Sequence, residues 1–176
     1  MASVTSTTAL TYRVGQCWLG SLLVASTDEG IAAILLGNDR EALVRSLRSR
    51  FPEARLIEGD ERFEDLVTEV ARFVDAPASR FDRHLDLRGT DFERRVWLAL
   101  REIPAGSTAT YSEIATRIGA PKASYDVGQA CASNPLAVVV PCHRVVRKDG
   151  TLAGYRWGTR RKRALLAREA AAARVS

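Results

Sequence analysis

Pro141-Cys142-His143-Arg144-Val145 is the stretch of this sequence best able to do chemistry. A thiol with a free pKa of about 8.5 becomes a nucleophilic thiolate at neutral pH only with help from a base or nearby positive charge. His143 and the surrounding cations could supply that help. A cysteine after a proline, at the end of a buried strand, is also held on a rigid element, which favours a defined line of attack. A plainer reading makes Cys142 a small buried hydrophobe and His143 incidental. The residues by themselves leave both open.

Metal and disulfide chemistry fit poorly. Cys17, Cys131 and Cys142 are an odd set of three without CxxC spacing, so reduced thiols are expected rather than a disulfide framework. Only two histidines are present, His84 and His143, and no close ligand pairs suggest a tetrahedral zinc site. No metal and no cofactor are expected. The apolar stretch beside the cysteine, Leu136 to Pro141, is far shorter than the roughly 20 residues a membrane-spanning helix needs. Met1 to Leu10 has neither the basic nor the apolar segment of a secretory signal. The expectation is a cytoplasmic protein with no membrane partner.

Charge points, modestly, elsewhere. The net charge of +5 is uneven: from Pro121 onward eleven Lys and Arg face three acids, giving +8 and leaving −3 for the first 120 residues. A basic C-terminal third is the footprint of a surface that meets phosphates, although a run such as Arg160 to Arg163 is by default a solvated helix face.

These residues need a scaffold, and 176 residues with 46% hydrophobic content suffice for one substantial domain or two small ones. From Tyr12 to Leu36, apolar and polar residues alternate between glycines, as in short strands joined by turns. Two helical patterns follow, one on Leu43, Leu47 and Phe51, the other on Phe63, Leu66, Val67, Val70, Phe73 and Val74. Pro77-Ala78-Ser79 reads as a linker. Beyond it, Thr90 with Glu93 and Thr110 with Glu113 each fit the S/T-x-x-E capping box, so two helices start there. The first should bury Phe92, Val96, Trp97, Leu100 and Ile103, and the second Ile114, Ala115 and Ile118 before stopping at Gly119. A third helix is predicted from about Lys122 to Ser133, completing a helix-turn-helix outline. Ala137 to Val140, β-branched and apolar, suits a buried strand. Asp149-Gly150 between Val145-Val146 and Leu152 signals a hairpin, and a basic helix from about Arg160 to Ala172 closes the chain with Leu165 and Leu166 inward.

Asn134-Pro135, Pro141-Cys142-His143-Arg144-Val145, Gly154-Tyr155-Arg156-Trp157-Gly158 and Leu165-Leu166-Ala167-Arg168-Glu169 together resemble the signature of O6-alkylguanine-DNA alkyltransferases, also called methylated-DNA-protein-cysteine methyltransferases. The likeness extends upstream through Arg88-Gly89-Thr90-Asp91-Phe92, Val96-Trp97, Ile103-Pro104-Ala105-Gly106 and Thr110-Tyr111. It is most evident toward the alkyltransferase half of bacterial adaptive-response proteins. The resemblance implies a ribonuclease-H-like α/β domain over residues 1–83 and a mostly helical, winged-helix-like domain over 84–176. It implies a monomer acting on double-stranded DNA with alkylated guanine. Cys142 would take the alkyl group in one displacement, with His143 deprotonating it through a water, Glu169 orienting the imidazole, and Asn134 fixing the turn beneath the sulfur. The base would be extruded to reach the thiol. Tyr111 and Tyr155 would hold it, the main chain of Cys142 and Val145 would accept from its exocyclic amine, and Cys131, Arg156 and Trp157 would line its pocket. Lys122, Tyr125, Arg144 and Arg147 would meet the DNA.

One stretch departs from the family's pattern. Where that pattern has Arg-Ala-Val-Gly, with an arginine that intercalates in place of the extruded nucleotide, this chain has Tyr125-Asp126-Val127-Gly128. Tyrosine can stack but brings no charge, and a carboxylate on a helix approaching a polyanion weakens binding. Besides repair of DNA by a chain in which Tyr125 does the wedge's work, three other readings follow. The pair could be an engineered weakening of DNA binding. The same thiol chemistry could act on a non-DNA alkyl donor, or the chain could bind alkylated bases without transfer, although the reactive cysteine is present.

Overall fold

The computed structural model describes residues 7–175; Met1 to Ser6, the first part of the stretch read for a signal, lie outside the described residues. The chain divides into two compact units, one running to Arg72 with Asp82–Asp86, the other made of Phe73–Phe81 and the chain from Leu87 onward. The division is interleaved where a single break after residue 83 was expected. The reason is local: Ile31 N–H donates to the His84 carbonyl at 3.0 Å, Asp86 N–H donates to the Ile31 carbonyl at 2.8 Å, and Thr27 donates to the Asp86 carboxylate at 2.6 Å. Residues 82–86 thus return to the sheet.

The first unit is an α/β sheet with strands β1 (Ala9–Cys17), β2 (Gly20–Thr27), β3 (Gly30–Gly37) and β4 (Arg55–Glu58), and helix α1 (Arg40–Arg50) between β3 and β4. The order is β3-β2-β1-β4, antiparallel through the first three with β4 parallel to β1. Leu22, Leu23, Val24 and Ala25 are all fully buried. Successive side chains point to opposite faces, so β2 is covered on both sides. The alternating pattern read from the sequence therefore gives way to continuous burial. Helix α2 (Glu61–Asp75) follows, and its Val67 lies where β1 has Gly15, whose missing side chain leaves room for it.

The second unit is mostly helical, with α3 (Asp91–Leu100), α4 (Tyr111–Arg117), α5 (Ser124–Ala132) and α6 (Thr159–Val175). Both capping boxes are formed, Thr90 with Glu93 and Thr110 with Glu113. Each satisfies two backbone N–H groups that a helix start otherwise leaves unpaired. Gly119 turns the chain out of α4 at φ +77, a left-handed conformation that glycine adopts without steric penalty. Trp97 is fully buried, and its indole N–H donates to the Ala130 carbonyl at 2.9 Å, tying α3 to α5. Strands β5 (Ala109–Thr110) and β6 (Val145–Val146) pair in parallel.

Two local expectations are corrected. Ala137 to Val140 is a buried turn, not a strand: Val138 has φ +68, and Val140 N–H closes back on the Leu136 carbonyl at 3.0 Å. The Asn134 side chain takes the Leu136 N–H and the Val140 carbonyl at 2.9 Å each, removing the groups a neighbouring strand would need. The Asp149-Gly150 turn forms, with Arg147 N–H donating to the Thr151 carbonyl at 3.1 Å. It closes no hairpin, because no strand follows it, and β6 pairs only with β5 among the described residues.

Candidate active site

The turn at residues 137–140 delivers the chain into a short 3-10 segment, Cys142–Arg144. Asn134, fully buried, also donates from Nδ2 to the Cys142 sulfur at 3.3 Å. One amide side chain thus ties turn and nucleophile together, which only a side chain with both a donor and an acceptor can do. Burial raises the Cys142 thiol above its ordinary range, while the Asn134 hydrogen bond and the Lys162 ammonium work in the opposite direction. At neutral pH the resting form is therefore the thiol, and reaction needs a base.

The base lies next in the chain. Burial lowers His143 despite the neighbouring Glu169, so its imidazole is neutral at pH 7. Its Nε2 lies 2.7 Å from Glu169 Oε1. Burial alone would raise Glu169, but hydrogen bonds from His143 and Arg144 outweigh it and bring the carboxyl down to about 2. A carboxylate can only accept, so Nε2 carries the proton and Nδ1 holds a lone pair. Nδ1 is buried without a hydrogen-bond partner among the described residues, and is the atom able to receive a proton.

Arg144 fastens the other side of Glu169. It donates from Nε to Oε2 at 2.9 Å, from Nη2 to Oε1 at 2.8 Å, and from Nη1 to the Ile103 carbonyl at 2.6 Å. Only 6% exposed, it is no surface cation, and its expected place among the DNA contacts is corrected: the guanidinium is committed to a buried carboxylate. Lys162, read from the sequence as part of a basic run, is 1% exposed and donates from Nζ to the Val145 carbonyl at 2.8 Å. Its register was a usable signal, since Lys162, Leu165 and Glu169 fall at i, i+3 and i+7 on one helix face.

Cys142 opens onto a cavity of about 840 Å³ lined also by Tyr111, Cys131, Tyr155, Arg156, Tyr125 and Arg147. Cys131 is buried, and burial raises its thiol too. Burial pushes the Tyr111 phenol up to about 12, so it remains a hydrogen-bond donor at neutral pH. The Tyr155 hydroxyl is buried without a partner among the described residues, and its ring meets Trp157 edge-on at 5.3 Å. Arg156 Nη1 donates to the Asn134 carbonyl at 3.2 Å, and its guanidinium lies 5.6 Å from the Trp157 ring centre. Trp157 itself is buried behind Tyr155 rather than on the cavity wall. Val145 is fully buried and likewise off the wall. The carbonyls of Cys142 and Val145 already accept one hydrogen bond each, from Val145 N–H and Lys162. Lys122 is exposed and outside the cavity lining, whereas Tyr125 is 75% exposed and Arg147 exposed, both at the lining.

A buried thiol facing an open cavity, followed in sequence by a neutral imidazole anchored to a carboxylate, defines a site able to receive a group from an electrophilic carbon onto its own sulfur. The comparisons with known proteins agree with that class. The model of the DNA-binding domain of 6-O-methylguanine DNA methyltransferase matches residues 91–171. The bifunctional transcriptional activator/DNA repair enzyme Ada of Escherichia coli is 48% identical over 92% of this chain, which spans 46% of that protein. The inducible methylated-DNA–protein-cysteine methyltransferase of Bacillus subtilis is 40% identical over 81% of this chain and 80% of its own length. A crystal structure of Mycobacterium tuberculosis OGT in complex with DNA superposes with a TM-score of 0.77 at 38% identity, covering 92% of this chain and 93% of that one. The chain belongs to the family of methylated-DNA–protein-cysteine methyltransferases. It spans about half the length of the first curated relatives it matches.

Proposed function

We propose that this chain reverses O6-alkylguanine damage in DNA by moving the alkyl group onto Cys142. The observation that carries the proposal is the thiol on the cavity wall, with Asn134 on its sulfur and the Glu169–His143 pair beside it in sequence. The extruded base enters the cavity. His143 Nδ1 takes the thiol proton through a water, and Glu169 stabilises the imidazolium. Sγ attacks the alkyl carbon, the C–O6 bond breaks and an S–C bond forms. The guanine leaves with the pair of electrons and takes up a proton, for which the Tyr111 hydroxyl is the donor at hand. Tyr155 holds the base beside O6. The second lone pairs of the Cys142 and Val145 carbonyls accept from the exocyclic amine. Because the thioether cannot leave, each molecule acts once.

Lys122, Tyr125 and Arg147 are the proposed contacts to DNA carrying alkylated guanine, made by a monomer in the reducing cytoplasm. In this reading the sheet unit is ribonuclease-H-like, supported by its β3-β2-β1-β4 order with a parallel β4. The helical unit is winged-helix-like, supported by α4 and α5 meeting across the Gly119 turn. A non-DNA donor rests on Tyr125-Asp126 alone, and the thiol on the cavity wall speaks against a binding module without transfer.

Intact-protein mass spectrometry after incubation with O6-methylguanine DNA, followed by peptide mapping, tests the proposal. One added methyl on Cys142 is expected. Cys142→Ala should take up none, and full uptake by that variant would sink the assignment.

A further inference from the structure

We infer that this chain takes its alkylated guanine preferentially from unpaired or single-stranded DNA, an inference that rests on the repair reading above. The mouth of the Cys142 cavity is electrostatically one-sided. The segment after β6 contributes three cations, Arg147, Lys148 and Arg156, to the lining. Facing the cavity from α5 are Ser124, Tyr125, Gly128, Gln129, Cys131 and Ala132, and none of the helix's nine residues is basic. Its one charged residue is Asp126, exposed beside Tyr125 and facing away from this cavity toward Glu93, and the cation ahead of the helix, Lys122, is outside the cavity lining as well.

A duplex brings phosphates from both strands to such a mouth, and the strand that lies along α5 finds no basic residue on that helix to answer it. A single strand can lie along the cationic wall alone. Tyr125 completes the fit. It is 75% exposed, on the lining of the cavity that holds the thiol, and its ring offers a face on which a neighbouring base can stack. A cationic track with an aromatic platform is how proteins grip single strands without reading sequence.

The energetics point the same way. A thiol 4% exposed is reached only by a base out of the stack. Extrusion from a paired duplex costs a few kcal/mol, and least when the base is mismatched or unpaired. Offsetting that cost calls for a side chain that fills the gap and also hydrogen-bonds the abandoned partner base. Tyr125 can fill by stacking, but its single hydroxyl cannot make the forked contacts of a guanidinium or amide. A strand with no partner base carries no such demand.

Single-turnover rates of Cys142 methylation should be measured for one O6-methylguanine oligonucleotide used single-stranded, annealed to its complement, and annealed opposite an abasic site. The single-stranded and abasic substrates are expected to react at least about tenfold faster than the paired duplex, given the extrusion cost. Tyr125→Ala, at an exposed position with little packing to lose, should slow the single-stranded reaction by roughly tenfold, the scale of one stacked base. Tyr125→Arg with Asp126→Ala should narrow the gap by speeding the duplex reaction. Equal or faster reaction with the paired duplex, with the methyl still on Cys142, overturns the inference and leaves the repair reading intact. No methylation from any of the three overturns the repair reading, and the inference with it.

Discussion

Glu169 is the residue on which the site's geometry turns. Its two oxygens hold His143 and Arg144, all three buried. Removing one partner of a buried ion pair leaves the other charge without compensation, so Glu169→Ala is expected to cost about 3–5 kcal/mol of stability as well as methyl uptake. Urea unfolding at constant slope is the check. Acid should find the same place. His143 is lowered and Glu169 is brought to about 2, so in both cases the unfolded chain binds protons that the native chain refuses. The stability they contribute is full above the unfolded histidine's value of about 6.5. It falls as His143 protonates in the unfolded state, and falls further as pH drops from the ordinary carboxylate range toward 2. The urea midpoint, followed from pH 8 to 3, should decline throughout the acid side. A midpoint unchanged between pH 7 and 4 would contradict the buried neutral imidazole.

At the scale of elements, the two capping boxes invite a paired test. Thr90→Ala and Thr110→Ala each remove a side-chain acceptor at a helix start, worth about 1 kcal/mol, so the two should lower the melting temperature by similar amounts. Only Thr110 precedes Tyr111 on the cavity wall, and only its variant should slow methyl uptake. Uptake slowed equally in both would place the effect in stability alone. These helix starts were legible in the sequence because a cap is a local device with fixed spacing. The turn at 137–140 was not, since an apolar β-branched run looks the same whether its backbone bonds go to a strand or, as here, to the Asn134 side chain. Arg144 was misplaced for a related reason. Its partner Glu169 is 25 residues away, and a cation beside a reactive cysteine reads as surface until the fold brings the acid to it. Cys142, His143, Asn134 and Glu169 were named from a motif, but what the motif could not convey was that one carboxylate serves both neighbours of the nucleophile.

For the whole molecule, the uneven charge becomes a matter of which cations are available to phosphates. Arg147 is exposed at the cavity mouth and Arg144 is buried. Arg147→Ala should therefore reduce the steepness with which DNA binding falls with salt by about one unit of the logarithmic slope. Arg144→Ala should leave that slope unchanged while destabilising the fold; titrations by fluorescence anisotropy at several salt concentrations separate the two. The parallel pairing of Ala109 with Val145 and Thr110 with Val146 has a mechanical consequence. One strand of this joint runs straight into the helix that starts at Tyr111, while the other leaves the segment that carries Cys142. A tilt of that helix would pass directly to the sulfur's own stretch of chain, so Tyr111 on the cavity wall and Cys142 would move together, like two jaws on one rivet.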